Sequence, residues 1–202
     1  SYNCNQQTGS GSCEEYGRGP VPFSETQSPQ PESFYSLTKM LATRACQSLA
    51  NSSSCVARLA VVYGPGQSGE MFIPSLIRAC LNGQAFPMTL GEQTRDFVYV
   101  EDAVAALIAL AECRDARGQV VNVGTGVEHT LKDVAQQSLE LSGANIRLQM
   151  GTVSPRSGEA NRYVCSVEKI RRLTGWQPNV DIREGLAGTI NWWRQGSPQP
   201  KI

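Results

Sequence analysis

The chain predicts an α/β fold, and three observations predict it. Segments with helical periodicity alternate with short apolar runs along most of the length. Residues 55–62 form a continuous apolar run broken by one arginine, the pattern of a parallel strand buried on both faces. That run and a second one at 119–123 both end in glycine turns, Tyr63-Gly64-Pro65-Gly66 and Asn122-Val123-Gly124-Thr125-Gly126. Ligands of open α/β sheets sit beyond the carboxyl ends of such strands, so the end of the 55–62 strand should face a site.

Taken in order, residues 1–11 should hold the strand that leads into Ser12. They make a poor strand, because Tyr2 and Cys4 alone are apolar in the first eight residues. Residues 18–33 contain Pro20, Pro22, Pro29 and Pro31 and read as a loop, with Pro31 and Ser33 placed just before a helix. The helix is amphipathic and spans 34–50. Asn51-Ser52-Ser53-Ser54 is a turn into the 55–62 strand. Residues 71–83 form a helix with Phe72, Ile73, Leu76, Ile77 and Leu81 on one side, and 86–90 form a short extended piece. Residues 93–97 lead into a strand at 98–100. Asp102 reads as the N-cap of a helix at 103–113. After the 119–123 strand, Thr130 caps a helix at 131–142. A strand at 146–150, a short helix at 167–174 and a last helix at 182–194 complete the chain, with Leu186, Ile190 and Trp193 turned inward.

Composition narrows the class. A chain of 202 residues can bury one sizeable core. Hydrophobic content is 40% and net charge +0, which describes a globular, soluble protein and gives no support for a nucleic-acid partner. No apolar run approaches the roughly eighteen residues of a membrane span, and the polar opening residues do not resemble a leader. Seven cysteines without a C-x-x-C pair point to free thiols in a reducing cytoplasm. The single histidine, His129, weighs against a histidine triad or metal cluster and is placed in a surface loop ahead of Thr130.

The sharpest chemistry lies in Tyr35-Ser36-Leu37-Thr38-Lys39. Tyr35 and Lys39 are four apart and share a helix face. An ammonium beside a phenol favours the phenolate and should lower the tyrosine pKa toward working pH. Such a phenol can exchange a proton with an alcohol.

About twenty residues upstream lies Gly11-Ser12-Cys13-Glu14-Glu15-Tyr16-Gly17. With Tyr-x-x-x-Lys it resembles the extended short-chain dehydrogenase/reductases, in particular the NAD-dependent epimerase/dehydratase family that modifies nucleotide sugars. Four further stretches match that family in order. They are Arg58-Leu59-Ala60-Val61-Val62-Tyr63-Gly64-Pro65-Gly66, Arg95-Asp96-Phe97-Val98-Tyr99-Val100-Glu101-Asp102, Asn122-Val123-Gly124-Thr125-Gly126 and Arg156-Ser157-Gly158-Glu159. Gly175-Trp176-Gln177-Pro178 is similar to a structural turn of the family. The resemblance runs from Ser12 to about Trp193.

The resemblance implies the C-terminal half of a doubly wound, Rossmann-type NAD(P)-binding sheet plus a small α/β substrate domain. The partial domain spans 1–202, with substrate-binding elements mainly at 67–97 and 126–195. Tyr35 would be the acid/base, Lys39 would hold the nicotinamide ribose, and Leu59 would lie near the nicotinamide. Ser12 would orient the sugar hydroxyl. Glu14 is either a base beside the transient ketone or a solvated loop carboxylate. Cys13 stands where family dehydratases often carry an aspartic acid, which leans the reading toward epimerase or reductase. Val61 replaces a frequent substrate-contacting asparagine. Arg95 and Arg156 would grip the diphosphate. Their alternatives are pairing with Asp96 and a loop cation.

No glycine-rich turn follows a strand here, although a dinucleotide site of this type needs one. The expectation is therefore a chain lacking the first half of the nucleotide-binding fold, roughly a hundred residues. The reaction implied is epimerisation, 4,6-dehydration or 4-keto reduction of a nucleoside-diphosphate sugar with NAD or NADP, in the cytoplasm. The alternatives are a non-catalytic fragment and a sugar-nucleotide binding module without redox chemistry. Family members often form homodimers through the helix bearing Tyr35 and Lys39.

Overall fold

The computed structural model describes residues 7–48, 54–155 and 160–196. Three parallel strands, β1 (Gln7–Ser12), β2 (Ser54–Leu59) and β6 (Val120–Val123), form one sheet in the order β1-β2-β6. Alternation along β2 sorts its side chains between two faces. Cys55 and Ala57 pack with Ala106 and Leu110 of α3 (Val100–Glu112) and with Ile170 of α5 (Glu168–Thr174). Arg58 points to the other face, where α1 (Phe34–Ser48) lies along β1.

The apolar run expected as one strand at 55–62 is two strands. It breaks at Ala60, whose N–H donates to the Val123 carbonyl. The chain then leaves the first sheet and continues as β3 (Val61–Tyr63), parallel to β5 (Thr94–Tyr99) in a second sheet. β5 is longer than the 98–100 strand expected, because residues 94–97 are already paired. β7 (Glu128–Thr130) runs antiparallel to them and β9 (Arg162–Tyr163) parallel. β4 (Phe86–Met88) pairs with β8 (Leu148–Met150). Helices α2 (Phe72–Leu81), α4 (Leu131–Ser142) and α6 (Ile182–Arg194) cover this second unit. Their core joins Ile73, Ile77, Phe97, Val134, Leu186 and Ile190.

Helix ends follow the capping chemistry. Thr130 accepts the Asp133 N–H at 3.0 Å, and Asp181 accepts the Glu184 N–H at 2.8 Å. Ser33 and Ser36 cap reciprocally at the start of α1, with N–H to Oγ distances of 2.9 and 3.0 Å. Asp102 is not an N-cap. It lies inside α3, buried, and accepts the N–H groups of Asn179 and Val180 at 3.1 and 2.9 Å, tying the segment before α6 to α3. His129 is not a loop residue either. It sits in β7 opposite Arg95, half-buried, and burial lowers its pKa.

The proline-rich loop covers the far edge of the first sheet. Phe23 exchanges backbone hydrogen bonds with Val164 and Ser166, and Glu25 accepts the Asn122 N–H of β6 at 2.9 Å. A free strand edge is thereby closed. β1, at the other end of the sheet, has a strand partner on one side among the described residues.

Candidate active site

The site begins with the end of β1. Ser12 has extended backbone and caps a 3-10 turn, Cys13–Tyr16, by accepting the Glu14 N–H at 3.2 Å. Glu15 closes the turn from within. Its Oε1 accepts the Ser12 N–H and the Thr43 hydroxyl, both at 3.0 Å, and its Oε2 accepts Arg58 Nε and Nη2, both at 2.9 Å. The glutamate side chain is 0% exposed and the arginine 5%. Gly11 leaves the room, since a Cβ there would stand 2.7 Å from Glu15 Oε1. Gly17 ends the turn at φ 62°, a left-handed conformation that favours glycine.

Tyr16 completes this wall. The Arg58 guanidinium lies 4.6 Å from its ring centroid, and its hydroxyl donates to Asn122 Oδ1 at 2.8 Å. Burial pushes the phenol up to about 12, against a lowering by Arg58. Tyr16 is thus a structural phenol, neutral at physiological pH.

The facing wall is the first turn of α1. Tyr35 is 49% exposed and lines one cleft with Ser12. Lys39 Nζ lies 5.8 Å from the Tyr35 ring centroid and donates to the Ser10 carbonyl at 3.2 Å. The expected lowering of the Tyr35 pKa is not found. Burial is the largest influence and raises it, the Ser12 hydrogen bond lowers it, and charge on Glu14, Cys13 and Glu15 raises it again. The physical reason is burial first, with the Glu14 and Glu15 carboxylates adding to it, while the ammonium engages a backbone carbonyl of β1.

Between these walls is a cleft of about 200 Å³. Ser12, Glu14, Tyr35, Leu59 and Val61 all line it, so five positions drawn from three separate stretches of sequence converge. Met71, at the start of α2, lines it too and was not singled out in the sequence. A larger polar cavity of about 340 Å³ lies beside Arg44, Gln119 and Lys169 and holds none of the candidate residues.

Arg95 is outside that lining. It is 7% exposed, its Nη1 donates to the carbonyls of Thr94 and Asn161 at 2.7 and 3.3 Å, and its guanidinium lies 4.8 Å from the Tyr163 ring centroid. Tyr163 belongs to one buried cluster with Cys13, which lines the cleft. Sequence reading missed Tyr163. Nothing in a two-residue strand signals it. Asp96 takes the Thr125 hydroxyl and the N–H groups of Thr125, Gly126 and Cys165. The glycine turn at 124–126 therefore closes on a carboxylate of its own chain. Arg156 lies outside the described residues. Among the described residues no group of three or more His, Cys, Asp or Glu could hold a metal, and no helix is long and apolar enough to cross a membrane.

The profile of the NAD dependent epimerase/dehydratase family matches residues 2–124. The chain belongs to this family. It is 30% identical to a human dTDP-D-glucose 4,6-dehydratase, over 86% of this chain and 51% of that protein. It is 32% identical to dTDP-glucose 4,6-dehydratase 1 of Escherichia coli K12, over 85% of this chain and 50% of the relative. Among solved structures, an epimerase of Methanothermobacter thermautotrophicus superposes with a TM-score of 0.89 at 31% identity, covering 95% of this chain and 60% of that one. MoeE5, solved with UDP-glucose and NAD, superposes with a TM-score of 0.88 at 34% identity, covering 96% and 66%. The fold is that of the Rossmann-type epimerases and dehydratases. The chain spans about half the length of these curated relatives.

Proposed function

We propose that this chain carries the acid–base and sugar-nucleotide-binding part of an NAD(P)-dependent nucleotide-sugar epimerase, dehydratase or reductase. The observation that carries the reading is the convergence of Ser12, Glu14 and Tyr35 on one cleft at the carboxyl ends of β1 and β2. Tyr35 exchanges a proton with a sugar hydroxyl, and Ser12 orients both by hydrogen bonding. Glu14 is placed to take a proton from the neighbouring carbon.

The residues present fit the nicotinamide end of a dinucleotide. Tyr35 and Lys39 stand on one helix face, and Leu59 ends the adjacent strand in the same cleft. NAD or NADP, when bound, supplies the hydride acceptor and donor. No glycine-rich turn for the pyrophosphate follows a strand in this sequence, and the chain covers 60% and 66% of the two solved structures.

Arg95 and Arg156 hold the substrate diphosphate, within substrate-binding elements at 67–97 and 126–195. Exposed Phe34, Leu37 and Leu41 on α1 support a homodimer through that helix. A second reading, a sugar-nucleotide binding module without redox chemistry, is favoured by the raised Tyr35 pKa and by Lys39 bonding Ser10.

Calorimetric titration of the chain with UDP-glucose and with dTDP-glucose tests the binding part. Affinity for one of them, kept in Tyr35→Phe and weakened in Arg95→Met, is expected. Absence of binding to both at millimolar ligand would overturn it.

A further inference from the structure

The two walls of the cleft are joined through one oxygen. Glu15 Oε1 accepts the Ser12 N–H from the turn wall and the Thr43 hydroxyl from the helix wall, both at 3.0 Å. Arg58 holds the other carboxylate oxygen at 2.9 Å, so the group is fixed from both ends. The joint is dry, with Glu15 0% and Thr43 2% exposed. On α1, Tyr35, Lys39 and Thr43 follow one another at intervals of four and share a face. Each interval is about 6 Å along the axis. Lys39 ties the middle of that face to the Ser10 carbonyl at 3.2 Å, and Thr43 ties the next turn to Glu15. Tyr35 stands one turn beyond these ties, at the cleft. Its place relative to Ser12 therefore depends on where the helix is pinned further along.

We propose that Glu15 and Thr43 are positioning residues: meeting at one carboxylate oxygen, they set the register of α1 against the Ser12 turn and hence the separation of Tyr35 from Ser12. The proposal rests on the reading of the cleft as the acid–base site. Neither residue lines the cleft. Each acts through what it holds, Glu15 through the Ser12 backbone and Thr43 through the helix. Lys39 is assigned to the nicotinamide ribose as well as bonding Ser10. The Thr43 hydroxyl lies away from the cleft, so its tie to Glu15 stays the same whether ligands are bound or absent.

The magnitudes support such a role. A hydrogen bond to an ionised acceptor is roughly twice as strong as one between neutral groups. Proton transfer needs heavy atoms within about 2.6–3.2 Å, and a misplacement of about 1 Å can cost about 10²-fold in rate. A helix that slides or tilts by that much at Thr43 keeps its fold and loses the alignment of Tyr35 with Ser12. Glu15→Leu does not separate this role from stability, because it also strands the Arg58 charge. Thr43→Val does. Valine keeps the shape of threonine and leaves the Ser12 and Arg58 bonds to Glu15 in place.

The test compares Thr43→Val and Thr43→Ser with the unaltered 202-residue chain by NMR. The Tyr35 ring signals, two turns from the substitution, should shift in Thr43→Val and return in Thr43→Ser, with unfolding in urea still a single transition. A merely local role for Thr43 would leave those signals in place. Single-turnover NAD reduction by UDP-glucose is then measured in this chain joined to the part of MoeE5 that it does not cover. Thr43→Val should slow it about 10-fold or more with sugar-nucleotide affinity unchanged, and Thr43→Ser should restore most of the rate. If Thr43→Val does not fold, Thr43→Ala against Thr43→Ser serves the same comparison. Unmoved Tyr35 signals would overturn the proposal, as would a loss that serine does not repair. Shifted signals with an unchanged rate would overturn its bearing on the reaction. The NMR comparison needs no ligand. Shifted signals in a protein whose turnover ignores Tyr35→Phe would therefore count against the acid–base reading and not against the joint.

Discussion

The two walls of the cleft are built in opposite ways. The turn wall is buried and held by many bonds. Glu15 accepts four hydrogen bonds inside the protein, Arg58 is paired to it, and Tyr16 is fixed to Asn122. The helix wall is open. Phe34 is 83% exposed, Tyr35 49% and Leu41 55%, and α1 buries only Ser36 and Thr43. The turn therefore takes its geometry from contacts within this chain. The helix takes only its inner face from them, and leaves an apolar outer face open.

The largest expected break of this contrast is Glu15→Leu. It leaves the Arg58 charge buried and unpaired, a loss of about 3–5 kcal/mol, read by urea unfolding. Arg58→Met with Glu15→Leu should recover much of that, because an ion pair replaced on both sides by apolar groups is far less costly than one half removed. Next is Gly11→Ala, whose new methyl meets Glu15 Oε1 at 2.7 Å and the Arg58 side chain at 3.1 Å. Overpacking of this kind costs about 1–3 kcal/mol. Leu41→Ser on the open wall should change stability by less than about 0.5 kcal/mol, and a loss comparable to Glu15→Leu would show that α1 is covered in solution.

Acid sensitivity sharpens the contrast at the second sheet. Hydrogen bonds from Arg162 and Thr94 hold the Glu128 carboxyl below its ordinary value of 4.5. A depressed carboxyl stabilises the fold above its unfolded pKa, and that contribution is lost as pH falls through the folded value. Between pH 6 and pH 3 the melting temperature should fall less steeply in Glu128→Gln than in the unaltered chain. Equal slopes would remove the clamp between β5, β7 and β9 from the account.

Much of the fold was legible because periodicity and capping agree. The helix at 131–142 with its Thr130 cap, and the one at 182–194, were read to the residue. The 55–62 run was misread as one strand, since apolar continuity cannot show that a chain changes sheets at Ala60. Residues 94–97 were missed as strand because Arg95 and Asp96 look like loop residues. In the fold, Arg95 packs on Tyr163 and Asp96 faces backbone donors. In the site, the spacing of Tyr35 and Lys39 placed them on one helix face, and family motifs led to Ser12 and Glu14. The Glu15–Arg58 pair behind them carried no sequence signal, because its partners are 43 residues apart. The direction of the Tyr35 shift was missed for the same reason, since it depends on burial and on carboxylates that only the fold brings near.

The central claim is that Tyr35 exchanges the proton at the sugar. It is tested most directly by Tyr35→Phe in this chain joined to the part of MoeE5 that it does not cover, measuring single-turnover NAD reduction by UDP-glucose. The account predicts a fall in rate of about 10²–10⁴-fold with unchanged sugar-nucleotide affinity and melting temperature. Undiminished turnover in that variant would contradict it.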